Sequence, residues 1–344
     1  RWTHGRDHAS LHGYVTHEVA SLDNGRFEYA GTGFGGLFAQ PANVVRPRMW
    51  FMLRDIMRFY REAPADAAGD DRDMTLGRYL KTRSYGKAFI NDHLLPMGAA
   101  IWSTPAQDML DYPLEAFVRF CSNHGLLQLR DRPAWRTVTG GSRQYVRKLT
   151  AGYADRILLN TAVTAIRRDA DSVVIEDRQG ERRRFDHVVI ATHADQALRM
   201  LDDADSAERR LLSAFRYERN LAILHSDERL MPRTRKAWTS WNFLGDNRHG
   251  DPQVCVTYWM NRLQGIDRSL PLFVSLNPGR PIDPGLVHQT FSYAHPVFDF
   301  AAFEAQAQMP SIQGRGAMAS SPGRSCGSSG RSPKQRDGVT LPVL

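Results

Sequence analysis

The chain has only three cysteines, Cys121, Cys255 and Cys326, in 344 residues. They are far apart and share no metal-type spacing, which excludes a disulfide-stapled scaffold and a cysteine metal centre. No metal site is expected. No apolar run approaches the ~20 residues that span a bilayer, and the first residues lack the apolar core of a signal peptide. A reduced, cytoplasmic setting without a membrane span is the default expectation. Catalytic-triad patterns are missing too, since His193, His225 and His295 have no nucleophile motif nearby. Nor does the chain open with a buried strand and a G-x-G-x-x-G turn, the arrangement that lets backbone approach a pyrophosphate. Gly31-Thr-Gly-Phe-Gly-Gly36 has the glycines but the wrong spacing, and no ribose-binding acid follows it, so it reads as a loop. Finally, Gly316 to Leu344 contains no aromatic residue and is rich in Ser, Gly, Arg and Pro, a composition that cannot bury a core.

What is present fits a globular protein of two ordinary domains, with 42% hydrophobic residues. The net charge of +8 invites a nucleic-acid reading. Half of that excess lies in the last thirty residues, where Arg315, Arg324, Arg331, Lys334 and Arg336 face only Asp337. The remainder is mildly basic, and no specific nucleic-acid partner is expected.

Periodicity divides the chain into a helical and a strand-rich part. Pro47 to Glu62 places Trp50, Leu53, Met57 and Tyr60 at helical spacing, with Pro47 at the start and Pro64 just beyond the end. Further helices are predicted at Thr75–Thr82 with Thr75 as cap, at Lys87–Met97, and at Pro105–Asn123. In the last of these Leu110, Leu114, Phe117, Val118 and Cys121 form a core stripe. From Leu221 to Phe298 the texture changes to LAILHSD, AWTSWNF, QVCVTYWM, PLFVSLN and QTFSYAH, separated by Gly, Pro, Asn and Asp clusters, which predicts an antiparallel sheet.

The densest signal runs from Arg156 to Asp195. Leu158–Ile166 is a strand candidate, and Ser172–Asp177, the turn Gln179-Gly180 and Arg182–Phe185 form a hairpin whose three arginines suit a solvated edge. Asp186–Thr192 is an acid followed by an unbroken apolar run, as in a parallel strand covered on both faces. The order resembles the second half of the FAD-binding domain in the flavin amine oxidase and phytoene desaturase superfamily. Trp135–Leu149, WRTVTGGSRQYVRKL, resembles that superfamily's strand, Gly-Gly turn and helix. The phrases LDNGRFEYAG, RPAWRTVTGGSRQYV, VVIATHADQALRML and VTYWMNRLQ are similar to a bacterial branch described only as NAD/FAD-binding proteins. Together they span about residues 20 to 313.

The resemblance implies an α/β (α+β overall) chain: a Rossmann-like FAD-domain remnant at 135–219, a helical substrate region at 19–134 and a substrate-domain antiparallel sheet at 220–309. Residues 1–18 match nothing expected, and 310–344 reads as an anomalous, frameshifted and disordered tail. The glycine turn is taken to lie upstream of Arg1, so the chain is expected to be an incomplete FAD-dependent oxidoreductase, inactive as it stands. Its substrate would be an amine-bearing or apolar small molecule. The alternative is a non-catalytic product of a damaged gene with, at most, nonspecific polyanion binding through the tail.

For FAD, the resemblance points to a backbone contact at Val163, to Gly140 and Gly141, and to Ala191, Thr192 and His193 closing beside the cofactor. His193 either lies along the cofactor's path or caps the next helix, and Asp195 reads as that helix's N-cap. Substrate-chamber candidates are Trp241, Tyr258, Trp259, Asn261 and His295, on consecutive strands whose alternation sends some toward a cavity. Taken singly, Trp241 and Trp259 each read as core ahead of chamber.

Overall fold

The computed structural model describes residues 11–14, 18–102, 108–128, 135–245 and 255–314. Its strands are β1 (Leu11–Tyr14), β2 (Glu18–Leu22), β3 (Phe27–Ala30), β4 (Trp135–Val138), β5 (Val163–Arg168), β6 (Val173–Asp177), β7 (Arg182–Phe185), β8 (Tyr217–His225), β9 (Trp241–Leu244), β10 (Cys255–Trp259), β11 (Phe273–Leu276) and β12 (Val287–Pro296). They form a seven-stranded sheet in the order β12-β8-β11-β10-β9-β2-β3, a three-stranded sheet β5-β6-β7 and a pair β1-β4. The class is mixed α/β, as expected.

All five strands predicted between Leu221 and Phe298 lie in the large sheet, antiparallel to one another. The hairpin β2-β3 extends it, with β2 running parallel to β9 so that Ala20 lies opposite Phe243. Its turn takes Asp23, Asn24 and Gly25 to φ of 52°, 55° and 80°, which an Asp-Asn-Gly sequence tolerates better than most. Leu11–Tyr14, from the stretch that matched nothing expected, pairs with Trp135–Val138.

One face of this sheet carries the helical layer. Pro47–Asp66 has Pro47 in its first turn and buries Met49, Met52, Ile56, Phe59 and Ala63. The predicted stripe holds only in part: Leu53 and Tyr60 pack against the core, while Trp50 is 52% and Met57 54% exposed. Both faces carry apolar residues at the same period, and packing around Phe59 selects between them. Its ring lies 5.3–6.4 Å from those of Tyr79, Tyr85, Phe89 and Phe117. Pro64 sits inside the helix, near its end, rather than beyond it. Leu76–Thr82 is capped as predicted, with the Arg78 N–H donating to Thr75 Oγ1 at 3.0 Å.

The predicted Lys87–Met97 helix is interrupted. Lys87–Phe89 passes into a π-helical turn, Ile90–Leu94, and then into Leu95–Trp102. Of Pro105–Asn123, the 3₁₀ turn Asp108–Asp111 and the helix Leu114–Asn123 are helical, while 103–107 lies outside the described residues. Leu114, Phe117, Val118 and Cys121 are buried as the stripe predicts.

A second cluster joins distant parts of the chain. Leu211, Leu212 and Phe215 pack with Ala302, Ala305 and Ile312, and Leu198 and Leu201 lie against them. Arg168 secures this unit to the three-stranded sheet by bonding Asp203 Oδ2 at 2.9 Å and Glu208 Oε2 at 2.9 Å. The hairpin β6-β7 forms as predicted, Gly180 taking φ 81° in its turn. Arg182 on the solvated edge bonds Glu176 at 2.6 Å.

Three expectations here are corrected. The strand β5 begins at Val163, not Leu158, and Leu158 and Leu159 are 59% and 79% exposed. Asp186–Thr192 forms no strand, and Val189 is 88% exposed. A run coded for burial on both faces needs parallel neighbours on each side, and the described residues supply none. Of the predicted disordered tail 310–344, the first residues are ordered, since Met309–Ile312 is a 3₁₀ turn with Ile312 buried in the cluster of Leu211 and Ala302, and 315–344 lies outside the described residues.

Because Phe59 is fully buried among four aromatic rings, Phe59→Ala is expected to destabilise the protein by about 3–5 kcal/mol. Denaturant unfolding checks this, and a loss below about 1 kcal/mol would show that the layer collapses around the gap.

Candidate functional site

The β2-β9 pair and the helix Leu95–Trp102 enclose a crevice. Its lining includes Trp241 and Phe243 from the sheet, Met97 and Ala100 from the helix, and His93 from the π-helical turn, with room for about one water at 10 Å³. Trp241 and Tyr258 sit on neighbouring strands directly opposite each other, their rings edge to face at 5.9 Å and 81°. The Tyr258 hydroxyl donates to the Ala100 carbonyl at 3.4 Å, reaching across from sheet to helix. Two of the predicted chamber residues thus stand together beside a cavity.

His93 was not singled out by sequence, and it is the polar side chain of this crevice. Its Nδ1 lies 3.2 Å from the Tyr29 hydroxyl and its Nε2 3.3 Å from that of Tyr60. Tyr29 donates its proton to the Asp92 carbonyl at 2.7 Å. The turn is anchored by Arg48, whose Nε and Nη2 grip the Asp92 carboxylate at 2.6 Å each while its guanidinium lies over Phe27. Burial pushes the Asp92 carboxyl up, and Arg48 opposes that shift. The available signal was His93 followed by Pro96 inside an apolar helical run, which interrupts regular α-helical bonding.

The other chamber candidates lie elsewhere. Trp259 packs edge to face on Trp238 at 5.4 Å, with Arg268 over its ring. Asn261 is buried, and its amide donates to the Asp267 and Leu270 carbonyls at 2.6 and 2.8 Å while accepting from the Leu272 N–H at 2.7 Å. Those three bonds hold the 261–272 loop, so its polar capacity is largely spent on the fold.

His295 comes instead beside His193 and Tyr217. On β12 it stands opposite Glu218, next to the Pro296–Tyr217 pair. The His193 ring stacks on Tyr217 at 4.4 Å and 10°, and the Ala194 N–H donates to the Tyr217 hydroxyl at 2.9 Å. Burial lowers the His295 pKa and like charge at His193 lowers it further, while burial raises that of Glu218. His193 stands at the N-cap of the next helix, its backbone N–H donating to Gln196 Oε1 at 3.3 Å. Asp195 is corrected from N-cap to first-turn residue, where it pairs with Arg199 at 2.7 Å.

His225 resembles a nucleophile activator but is arranged otherwise. Its Nε2 faces Ser275 Oγ at 2.8 Å, yet its Nδ1 accepts the Asp227 N–H at 3.1 Å rather than donating to a carboxylate. Ser275 is tied onward to Thr257 at 2.7 Å, all fully buried. This is a hydrogen-bonded seam through β8, β11 and β10.

Of the cofactor-side residues, Val163 opens β5 at 36% exposure, and Ala191 and Thr192 are exposed on extended chain. Gly140 and Gly141 form the turn between β4 and the helix Arg143–Thr150, at φ 80° and 83°. A pyrophosphate cradle is not found among the described residues: Gly31–Gly36 leads from the edge strand β3 into a helix of four residues, Phe34–Leu37, too short for a dipole site. Among the described residues there is also no cluster of three metal-ligating side chains, and no helix long and apolar enough to cross a membrane.

Solved structures share this mixed α/β architecture at low sequence identity. A fatty acid isomerase from P. acnes that produces CLA superposes with TM-score 0.51 at 14% identity, over 90% of this chain and 74% of that one. Cyclohexylamine oxidase from Brevibacterium oxydans IH-35A gives 0.50 at 12% identity, over 83% and 68%. Putrescine oxidase bound to putrescine gives 0.50 at 14%, over 86% of this chain and 61% of that one. Residues 89–225 match the family described as flavin containing amine oxidoreductase. No curated protein sequence matches the chain. A flavin is the cofactor that this family implies.

The His225 seam makes a pH prediction. Burial lowers its pKa from 6.5 to about 4, so the folded state favours the neutral ring. Its stabilisation is complete above pH 6.5 and is lost as pH falls from there toward 4. The loss is on the order of 3 kcal/mol. Asp227, whose pKa the Arg229 side chain lowers, titrates below this window. Urea midpoints at pH 7 and 4.5 should differ more for the native chain than for His225→Asn, and equal differences would remove the assignment.

Proposed function

We propose that this chain is an FAD-dependent oxidoreductase of the amine oxidase type acting on an amine-bearing or apolar small molecule. The Trp241–Tyr258 crevice is its substrate end and the His193–Tyr217–His295 junction faces the cofactor. The observation carrying this reading is the junction. The chain end that sequence resemblance assigns to the flavin, Ala191-Thr-His193, meets the substrate sheet there through the stacked Tyr217 ring. Residues 220–309 then serve as the substrate sheet, and Val163, Gly140 and Gly141 lie on the dinucleotide side.

The flavin supplies the electron acceptor when bound, and the protein supplies orientation and burial. Without a pyrophosphate cradle among the described residues, binding is expected to be weak, since each charge-assisted hydrogen bond contributes about 1.5–3 kcal/mol. Titration with FAD followed by flavin fluorescence should show weak, saturable binding that Tyr217→Ala reduces by about tenfold. Binding unchanged in Tyr217→Ala, or no binding, would remove the junction as the cofactor side. Stoichiometric, tight FAD with bands near about 370 and 450 nm would instead overturn the account of Gly31–Gly36.

A further inference from the structure

The seven-stranded sheet ends differently on its two sides. At β3 the outward backbone is closed by side chains: the Glu28 N–H donates to Gln40 Oε1 at 3.1 Å, and the Glu28 carbonyl accepts from Asn43 Nδ2 at 2.8 Å. All four residues of β3 are buried. At the other end β12 is ten residues long, and His288 to Ala294 are exposed. A long edge with open backbone groups is a template for another strand, and charge, proline or a covering segment usually blunts it. Val287–Pro296 contains no Lys, Arg, Asp or Glu, and its one proline closes the strand.

The parity of the ladder shows which groups are open. On β8, Leu221 turns its backbone toward β11, its carbonyl accepting from the Asn277 N–H at 2.8 Å and its N–H donating to Asn277 Oδ1 at 2.9 Å. Its neighbours Asn220 and Ala222 therefore bond β12, through Tyr293 and Phe291. The N–H and C=O groups of Thr290, Ser292 and Ala294 point away from β8, and no partner for them is found among the described residues. Phe291 and Tyr293, on the other parity, stack at 5.7 Å and 18° and are 36% and 54% exposed.

This edge is its own complement. The regular stretch between the bulge at Val287/Gln289 and Pro296 is centred on Ser292. A second copy laid antiparallel about a two-fold axis there sets Ser292 opposite Ser292 and Thr290 opposite Ala294, closing about six backbone hydrogen bonds. Phe291 then faces Tyr293 twice across the axis, at the closer, non-hydrogen-bonded positions. No like charges from the two strands meet. Aromatic side chains bury about 150–250 Å² each, so four rings at these exposures add on the order of 400 Å². That is below the ~1,000 Å² of a stable interface, so the pair is weak and concentration-dependent.

We infer that two copies of this chain pair edge to edge through β12, about a two-fold axis at Ser292, and join their large sheets into one. Gln289 of the second copy then stands opposite His295. The joined sheet ends at a closed β3 on each side, so association stops at the dimer.

Sedimentation equilibrium of the whole chain at pH 7, from micromolar to near-millimolar concentration, should show reversible monomer and dimer with no larger species. Ser292→Lys changes an exposed side chain that the fold does not use and sets two ammonium groups against each other at the axis. It should weaken dimerisation at least about tenfold, and Ser292→Glu should do the same. Mixing the two variants should restore association, which loss of structure in either would not produce. A chain that stays monomeric throughout, a dimer unmoved by both variants, or variants that do not recombine would each overturn the inference. Capture of a synthetic peptide of sequence 287–296 by a chain that itself remains monomeric would overturn the second copy in favour of a foreign strand.

Discussion

Phe59 is the point on which the helical layer depends. Its ring touches aromatics from the segments around Tyr79, Tyr85, Phe89 and Phe117 and is wholly withdrawn from water. Short helices of three to ten residues are marginal by themselves, so their order comes from this shared burial against the long helix Pro47–Asp66. Phe89 ends one such piece, and the π-helical turn begins at the next residue. The placement of His93 four residues on is thus a consequence of core packing, and so is the wall that Leu95–Trp102 presents to the sheet.

The sheet contributes by alternation. Trp241 and Phe243 on β9, with Ala20 on the parallel strand beside it, face the helical layer and border the crevice. On another part of the sheet the His225–Ser275–Thr257 seam satisfies three buried polar side chains at once. Leaving any one unpaired costs more than the pair contributes, and burial within the seam depresses the basicity of His225. The polar groups of the interior therefore fall into two kinds. Those of the seam and of the Asn261 loop are spent on holding the fold, while His93 and the Tyr217 stack border a crevice or a junction between units.

The unit carrying β5-β6-β7 shows what burial alone can and cannot impose. Its hairpin forms because local turn chemistry and cross-strand pairing suffice: Gly180 takes its positive φ, and Arg182 pairs with Glu176 along the edge. Asp186–Thr192 carries an equally clear code and stays extended and exposed, because a parallel strand needs partners brought from elsewhere in the chain. The same contrast separates the Gly140-Gly141 turn, which is local, from the meeting of Phe300–Gln308 with Leu211 and Leu212, which is not.

By itself the sequence determined the elements whose signals are local: the Thr75 cap, the helix stripe ending at Cys121, the hairpin β6-β7, the Gly-Gly turn and the five strands between Tyr217 and Pro296. It also pointed to Trp241 and Tyr258 through strand alternation and to His193 through the Ala-Thr-His ending. Only the tertiary structure decided the phase of Pro47–Asp66, since two apolar faces with one period are equivalent until Phe59 meets its neighbours. It alone joined β2 to β9, separated Trp259 and Asn261 from the crevice, and brought His295 beside His193. It also identified His93, whose partners Tyr29 and Tyr60 lie 64 and 33 residues away. Contacts at that separation leave no periodic trace in the chain, because they arise from packing of units whose own patterns are already complete.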